Sequence, residues 1–160
     1  MQLAAFKLAA INRHKKSIIG EEGDCMNTHS DKIKIVCAEN CGNSPKKELL
    51  RDLTIAFAKN EMDYCIDCVT DDIVWDIIGQ KTIRGKSDFE KALNQMKDRA
   101  VQEIHIQNII THGNTGSVNG ALTLSDKQLV AFCNVYNFRG FGKNSKIRTI
   151  TSYIININTS

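Results

Sequence analysis

From Val101 onward the chain reads as four long β-strands and little else. Val101 to His112, Gly116 to Leu124, Gln128 to Phe138 and Lys146 to Ile157 are rich in β-branched and aromatic residues. Turn compositions at Gly113-Asn114, Ser125-Asp126 and Gly140 to Asn144 separate them. Consecutive strands joined by short turns run antiparallel. A sheet of that extent has to bury one face, and the cover must come from the residues before it.

Those residues supply three helices. Ser44-Pro45 is a start signal, with Ser positioned to cap the free amides and Pro suited to the first helical position. Leu49, Leu50, Leu53, Ala56 and Phe57 then recur at helical spacing, and Met62, Cys65, Ile66 and Val69 repeat the pattern until Thr70-Asp71-Asp72 ends it. Ile73 to Ile78 reads as a strand, Gly79-Gln80 as a turn and Lys81 to Arg84 as its partner strand. Ser87-Asp88-Phe89-Glu90 is a capping-box pattern opening a third helix with Phe89, Ala92, Leu93 and Met96 on its apolar stripe. With 160 residues there is room for one core. The expected class is α+β: a curved, mostly antiparallel sheet wrapped around three helices, leaving a concave space suited to a ligand. A homodimer through the outer sheet face is the expected assembly.

The segment before this body is of another character. Met1 to Ile19 holds no acid but carries Lys7, Arg13, Lys15 and Lys16, with most of that charge after the apolar run rather than before it, unlike a secretory signal. An organellar transit peptide fits the composition. A second explanation is that Glu22-Gly23-Asp24 can be encoded with AAGGAG, a bacterial ribosome-binding sequence, just before the codon of Met26. On that reading translation starts at Met26. The expected organisation is therefore an extension over 1–25, a lead-in over 26–44 containing Ile33, Ile35 and Val36, and the domain over 45–157.

Composition narrows the function classes. Twenty-one Lys and Arg against 18 Asp and Glu give a net charge of +3, dispersed along the chain, and aromatics are 6%. No nucleic-acid partner is expected from such a balance. No apolar stretch is long enough to span a bilayer, so no membrane partner is expected. The six cysteines are read as reduced thiols of a cytoplasmic protein. Cys65-Ile-Asp-Cys68 and Cys37 to Cys41 have spacings that a metal site uses, but Cys65 and Cys68 also fall on a helical stripe, where thiols pack as small hydrophobes. No metal and no cofactor are expected.

Strand alternation allows each sheet face to be read separately. Val130, Phe132, Asn134, Tyr136 and Phe138 share one face, a mixture of aromatics and hydrogen-bonding groups that suits a pocket wall. Gly120, between Val118 and Leu122, is read as giving up volume to a ligand, and Ser152 shares its face with Ile150 and Ile154. Val74, Asp76 and Ile78 share a face in the first long strand, with Trp75 directed the other way. A carboxylate among aliphatic groups has a raised pKa and becomes a base near neutral pH. The competing reading has Asp76 on the outer face or tied to a structural partner. His105 and His112, seven apart, fall on opposite faces unless a bulge intervenes. Lys46-Lys47 is read as solvated charge.

The run Asp71-Asp72-Ile73-Val74-Trp75-Asp76-Ile77-Ile78-Gly79 followed by Ile83-Arg84-Gly85-Lys86 resembles the nuclear transport factor 2-like (NTF2-like) superfamily. Tyr136-Asn137-Phe138-Arg139, Gly142-Lys143 and Lys146-Ile147 are similar to its last two strands and their turn. The likeness spans about 45–157 and is nearest to SnoaL-like polyketide cyclases and ketosteroid isomerases. It implies a cone-shaped fold with Asp76 at the isomerases' general-base position, Tyr136 near their oxyanion-holding acid and Leu53 near their oxyanion tyrosine. Two functions follow from it. One is a cofactor-independent isomerase or cyclase acting on a small apolar or carbonyl-containing molecule, with Asp76 and Tyr136 catalytic and Val74, Ile78, Gly120, Phe132, Asn134, Phe138 and Ser152 lining the site. The other is a non-catalytic module for a hydrophobic ligand or a partner chain.

Overall fold

A computed structural model describes residues 33–37, 44–96 and 100–157. The extension over 1–25, most of the lead-in, and Cys25 and Cys41 lie outside the described residues. Within them, the element order is β1 (Lys34–Cys37), α1 (Pro45–Lys59), α2 (Met62–Asp67), β2 (Val69–Ile77), β3 (Lys81–Arg84), α3 (Lys86–Met96), β4 (Val101–His112), β5 (Thr115–Leu124), β6 (Leu129–Phe138) and β7 (Ile147–Ile157). The strands form one mixed sheet in the order β1-β4-β5-β6-β7-β2-β3. The four long strands expected from the sequence are β4 to β7, paired antiparallel in succession. Parallel pairs join β1 to β4 and β2 to β7, so the lead-in residues 34–37 belong to the sheet.

The three helices pack on one face of the sheet around a single core that includes Leu50, Leu53, Trp75, Phe89, Ile104, Tyr136 and Ile150. An aromatic trio links helix to sheet: Phe57 of α1, Trp75 of β2 and Phe89 of α3 have ring centroids 5.5 to 6.3 Å apart, tilted or edge-on to one another. Such pairs contribute about 0.5–1.5 kcal/mol each beyond the area they bury.

Several local expectations are corrected. Ser44 occupies the N-cap position but makes no side-chain cap bond; its hydroxyl instead lies 3.4 Å from that of Thr111. Ser87 falls inside α3, whose first turn is closed by Phe89 N–H donating to the Gly85 carbonyl. β2 begins at Val69 rather than Ile73, because Val69 pairs with Ile147 before the ladder breaks and resumes at Val74 with Thr149. Lys46 is buried, only 8% exposed, not solvated. Its ammonium group donates to the carbonyls of Gly113 (2.7 Å) and Gly140 (3.2 Å) and sits 4.9 Å from the centre of the Phe138 ring. One side chain thus fastens the start of α1 to the β4–β5 turn and the β6–β7 loop.

Two glycines mark where elements approach too closely for a side chain. A Cβ on Gly116 would lie 2.5 Å from a methyl of Leu50, so α1 settles directly onto β5. A Cβ on Gly120 would collide with the His105 carbonyl oxygen and lie 3.1 Å from the tip of Phe132. The β4 bulge between Ile106 and Asn108 is beside this contact. Gly120 therefore admits a neighbouring backbone and not a ligand, which corrects the sequence-based reading. Gly120→Ala is expected to cost about 1–3 kcal/mol through overpacking. Urea denaturation checks it, and an unchanged midpoint would contradict the close approach.

Candidate ligand site on the helix-covered face

The pleat of β2 decides which side chains meet the helices. Ile73, Trp75 and Ile77 are buried, whereas Val74 and Asp76 are half-buried and Ile78 is exposed on the opposite face. The Asp76 carboxylate accepts a hydrogen bond from the Thr82 hydroxyl at 2.9 Å, an exposed contact within the β2–β3 hairpin. Val74, Asp76 and Ile78 are thus on the outer face, away from Tyr136. The cause is the indole: Trp75 and Asp76 are adjacent, only one can point inward, and the larger apolar surface wins. Trp75 donates from Nε1 to the Ser152 hydroxyl at 2.9 Å, a buried bond that anchors it to β7.

On β6, Phe132, Asn134, Tyr136 and Phe138 do point toward the helices, and the register sets Asn134 beside Ser152 and Val118, and Tyr136 beside Ile150 and Gly116. Phe138 lies beneath Lys46 and serves that anchor. Tyr136 is fully buried (0% exposed), and its hydroxyl has no hydrogen-bond partner among the described residues. Burial pushes the phenol up to about 12; Asn134 and Thr54, the polar side chains that oppose this shift, do not reach hydrogen-bonding geometry with it. The Thr54 hydroxyl proton is committed to the Leu50 carbonyl at 2.7 Å. Thr54 was passed over in the sequence, although its spacing from Leu50 and Ala58 along α1 places it on the buried stripe.

The set that meets on this face is therefore Thr54, Trp75, Asn134, Tyr136 and Ser152, joined by neutral groups only. None of the Asp, Glu or His side chains among the described residues is buried. The bulge in β4 puts His105 and His112 on the same outer face, both exposed. Cys65 and Cys68 pack in the core; burial pushes the Cys65 thiol up to about 12 and raises that of Cys68, so neither is a nucleophile at neutral pH. No group of three metal-ligating side chains is found among the described residues. Two surface clefts, of about 380 and 270 Å³, open elsewhere: one between the start of β2 and the β6–β7 loop, the other at the start of α1 beside Gly113 and Phe141. Neither is lined by Tyr136, Asn134 or Ser152.

No protein-family model and no curated protein sequence matches the chain. Solved structures do. An NTF2-like protein of unknown function from Burkholderia xenovorans is 19% identical at a TM-score of 0.60, covering 72% of this chain and 87% of that one. An NTF2-like protein of unknown function from Cytophaga hutchinsonii is 25% identical at 0.53, covering 68% and 97%. A protein assigned as a SnoaL-like polyketide cyclase from Shewanella denitrificans is 10% identical at 0.57, covering 69% and 90%. The chain has the NTF2-like fold. No helix among the described residues is long and apolar enough to cross a membrane.

Burial of Tyr136 and Cys65 fixes the sign of an alkaline transition. Between their ordinary values, 10.0 and 9.0, and about 12, the folded chain holds protons that the unfolded chain has released. Stability from these groups is thus constant below about pH 9 and falls as pH rises toward 12. Tyr136→Phe is expected to flatten the upper part of that fall and, by removing an unsatisfied buried hydroxyl, to stabilise the neutral-pH protein by about 1–3 kcal/mol. Denaturant titrations at several pH values check both. A Phe variant less stable than the parent would mean the hydroxyl is already satisfied.

Proposed function

We propose that the chain is an NTF2-like binding module that holds a small, largely apolar, neutral molecule against the helix-covered face of the sheet, with the Tyr136 hydroxyl donating to a carbonyl or ether oxygen of the ligand. The observation that carries this reading is the fully buried phenol whose hydroxyl has no hydrogen-bond partner among the described residues. An unsatisfied buried hydroxyl costs about 1–3 kcal/mol, and a ligand oxygen would relieve that cost. Asn134 supplies a second polar contact, and half-buried Leu122 and Ile154, flanking Val130 and Phe132 in the ladder, offer apolar surface where the core meets solvent. Among the described residues no acid is buried, and the buried cation Lys46 is committed to the carbonyls of Gly113 and Gly140, which favours a neutral ligand over an ionised one.

The second reading is a cofactor-independent isomerase or cyclase, favoured by the fold shared with the Shewanella protein. It needs a base at the site. Asp76, bonded to Thr82 on the other face, is not placed to act as one, and with it goes the pairing of Asp76 and Tyr136 across one pocket. The ordinary form of the proposal is therefore binding without turnover.

Mass spectrometry of small molecules retained by the purified protein identifies the ligand class, and titration with a retained compound tests the contact. Tyr136→Phe is expected to weaken binding about tenfold or more. Asp76→Asn is expected to leave affinity unchanged. Equal affinity in the Phe variant would reject Tyr136 as the donor, and proton-transfer turnover abolished by Asp76→Asn would replace binding with catalysis.

A further inference from the structure

The cations of the last part of the chain gather at one loop. No acid follows Asp126 in the sequence, whereas Arg139, Lys143, Lys146 and Arg148 crowd around the β6–β7 connection. Backbone bonds hold that loop in shape: Arg139 N–H donates to the Lys146 carbonyl (2.9 Å), and Ser145 N–H to that of Gly142 (3.2 Å). Ile147 N–H ties it to the Cys68 carbonyl just before β2 (2.9 Å). The larger cleft, of about 380 Å³, lies here, lined by Thr70, Asp71, Arg139, Gly140, Ser145 and Lys146. Its charges do not cancel. Asp72, outside the lining, accepts from Arg139 Nη2 at 2.6 Å and lies 3.5 Å from Arg148 Nε. The Asp71 side chain is 97% exposed and lies 3.8 Å from the Lys86 ammonium. Lys86, Arg139, Lys146 and Arg148 thus outnumber the two acids. The Lys146 ammonium makes no hydrogen bond or ion pair among the described residues. A guanidinium has five N–H donors, so the bond to Asp72 steadies Arg139 and leaves others for a ligand. Two hydroxyls complete the lining. A Cβ on Gly140 would lie 3.1 Å from the Ser145 hydroxyl, so the glycine keeps that oxygen uncrowded. Thr70 is 5% exposed; its hydroxyl helps hold the Asp72 carboxyl below the usual carboxylate range without reaching hydrogen-bonding geometry, and has no partner among the described residues.

We propose that this cleft binds the phosphate group of a small molecule. Arg139 and Lys146 supply charge-assisted donors to the phosphate oxygens, and the hydroxyls of Ser145 and Thr70 supply neutral ones. Two cations and two hydroxyls match a dianion with three terminal oxygens better than a carboxylate, which offers two oxygens and one charge. The volume falls within the range of small-molecule sites, about 300–1,000 Å³, so a group carrying the phosphate has room beside it. Tyr136, Asn134 and Ser152 take no part in this lining, and the site is independent of what binds near them.

Calorimetric titration of the full chain with inorganic phosphate, glycerol 3-phosphate and succinate, at matched ionic strength and about pH 8, where phosphate is mainly dianionic, tests this. At least one phosphate probe is expected to bind with Kd below about 1 mM, and succinate about tenfold or more weaker. Tighter binding of glycerol 3-phosphate assigns the site to monoesters, and equal or tighter binding of inorganic phosphate to the free ion; both support the proposal. Lys146→Gln removes an exposed ammonium that the fold does not use, and is expected to weaken phosphate binding about tenfold or more. Lys143→Gln removes the same charge from the same loop but lines the other cleft, and is expected to stay within about threefold of the parent. No binding of either phosphate probe, succinate binding as tightly, unchanged affinity in Lys146→Gln, or equal losses in the two variants would each overturn the site.

Discussion

The bond from the Trp75 indole to the Ser152 hydroxyl sets the identity of the whole helix-covered face. It holds the largest side chain of β2 inward, where the ring also meets Phe57 and Phe89. A strand cannot present neighbours to the same side, so the commitment of Trp75 sends Asp76 outward to Thr82. The same bond joins β2 to β7 at the point where their parallel ladder ends. Core packing and the outward placement of Asp76 therefore share one origin.

What is left on the helix-covered face is polar but neutral. Thr54 is already bonded to Leu50 and Ser152 to Trp75, while Tyr136 is buried with its hydroxyl unsatisfied among the described residues. A set of hydroxyls, an amide and an indole can orient a neutral molecule but has no group that exchanges protons near neutral pH. That is why the chemistry favours recognition over proton abstraction, although the NTF2-like fold accommodates both. Lys46, over Phe138, lines the cleft at the start of α1, whose lining does not include Tyr136.

Much of the fold was legible in the sequence because long-period signals are redundant. Ten or more alternating residues in each of β4 to β7 fixed their extents closely, and the stripe Leu50, Leu53, Ala56 and Phe57 defined α1. The site was less legible because a face assignment rests on parity alone. In β6 the alternation of large and small side chains resolved it, and Phe132, Asn134, Tyr136 and Phe138 share the inward face. In β2 both alternate sets are apolar around one acid, Val74 and Ile78 against Ile73, Trp75 and Ile77, so only the size of Trp75 could have broken the tie. Lys46 was read as solvated because nothing local reveals two carbonyls, more than sixty residues away, converging on it. Gly120 was assigned to a ligand because a missing side chain looks the same whether a ligand or a bulged neighbour fills the gap.

Trp75 is the single tryptophan of the chain, so its emission reports on this arrangement without interference. The account predicts blue-shifted fluorescence that iodide barely quenches, as for an indole packed between rings and bonded to a buried serine. Emission typical of water-exposed indole, strongly quenched by iodide, would mean that β2 presents its other face to the helices, and would restore Asp76 to the interior.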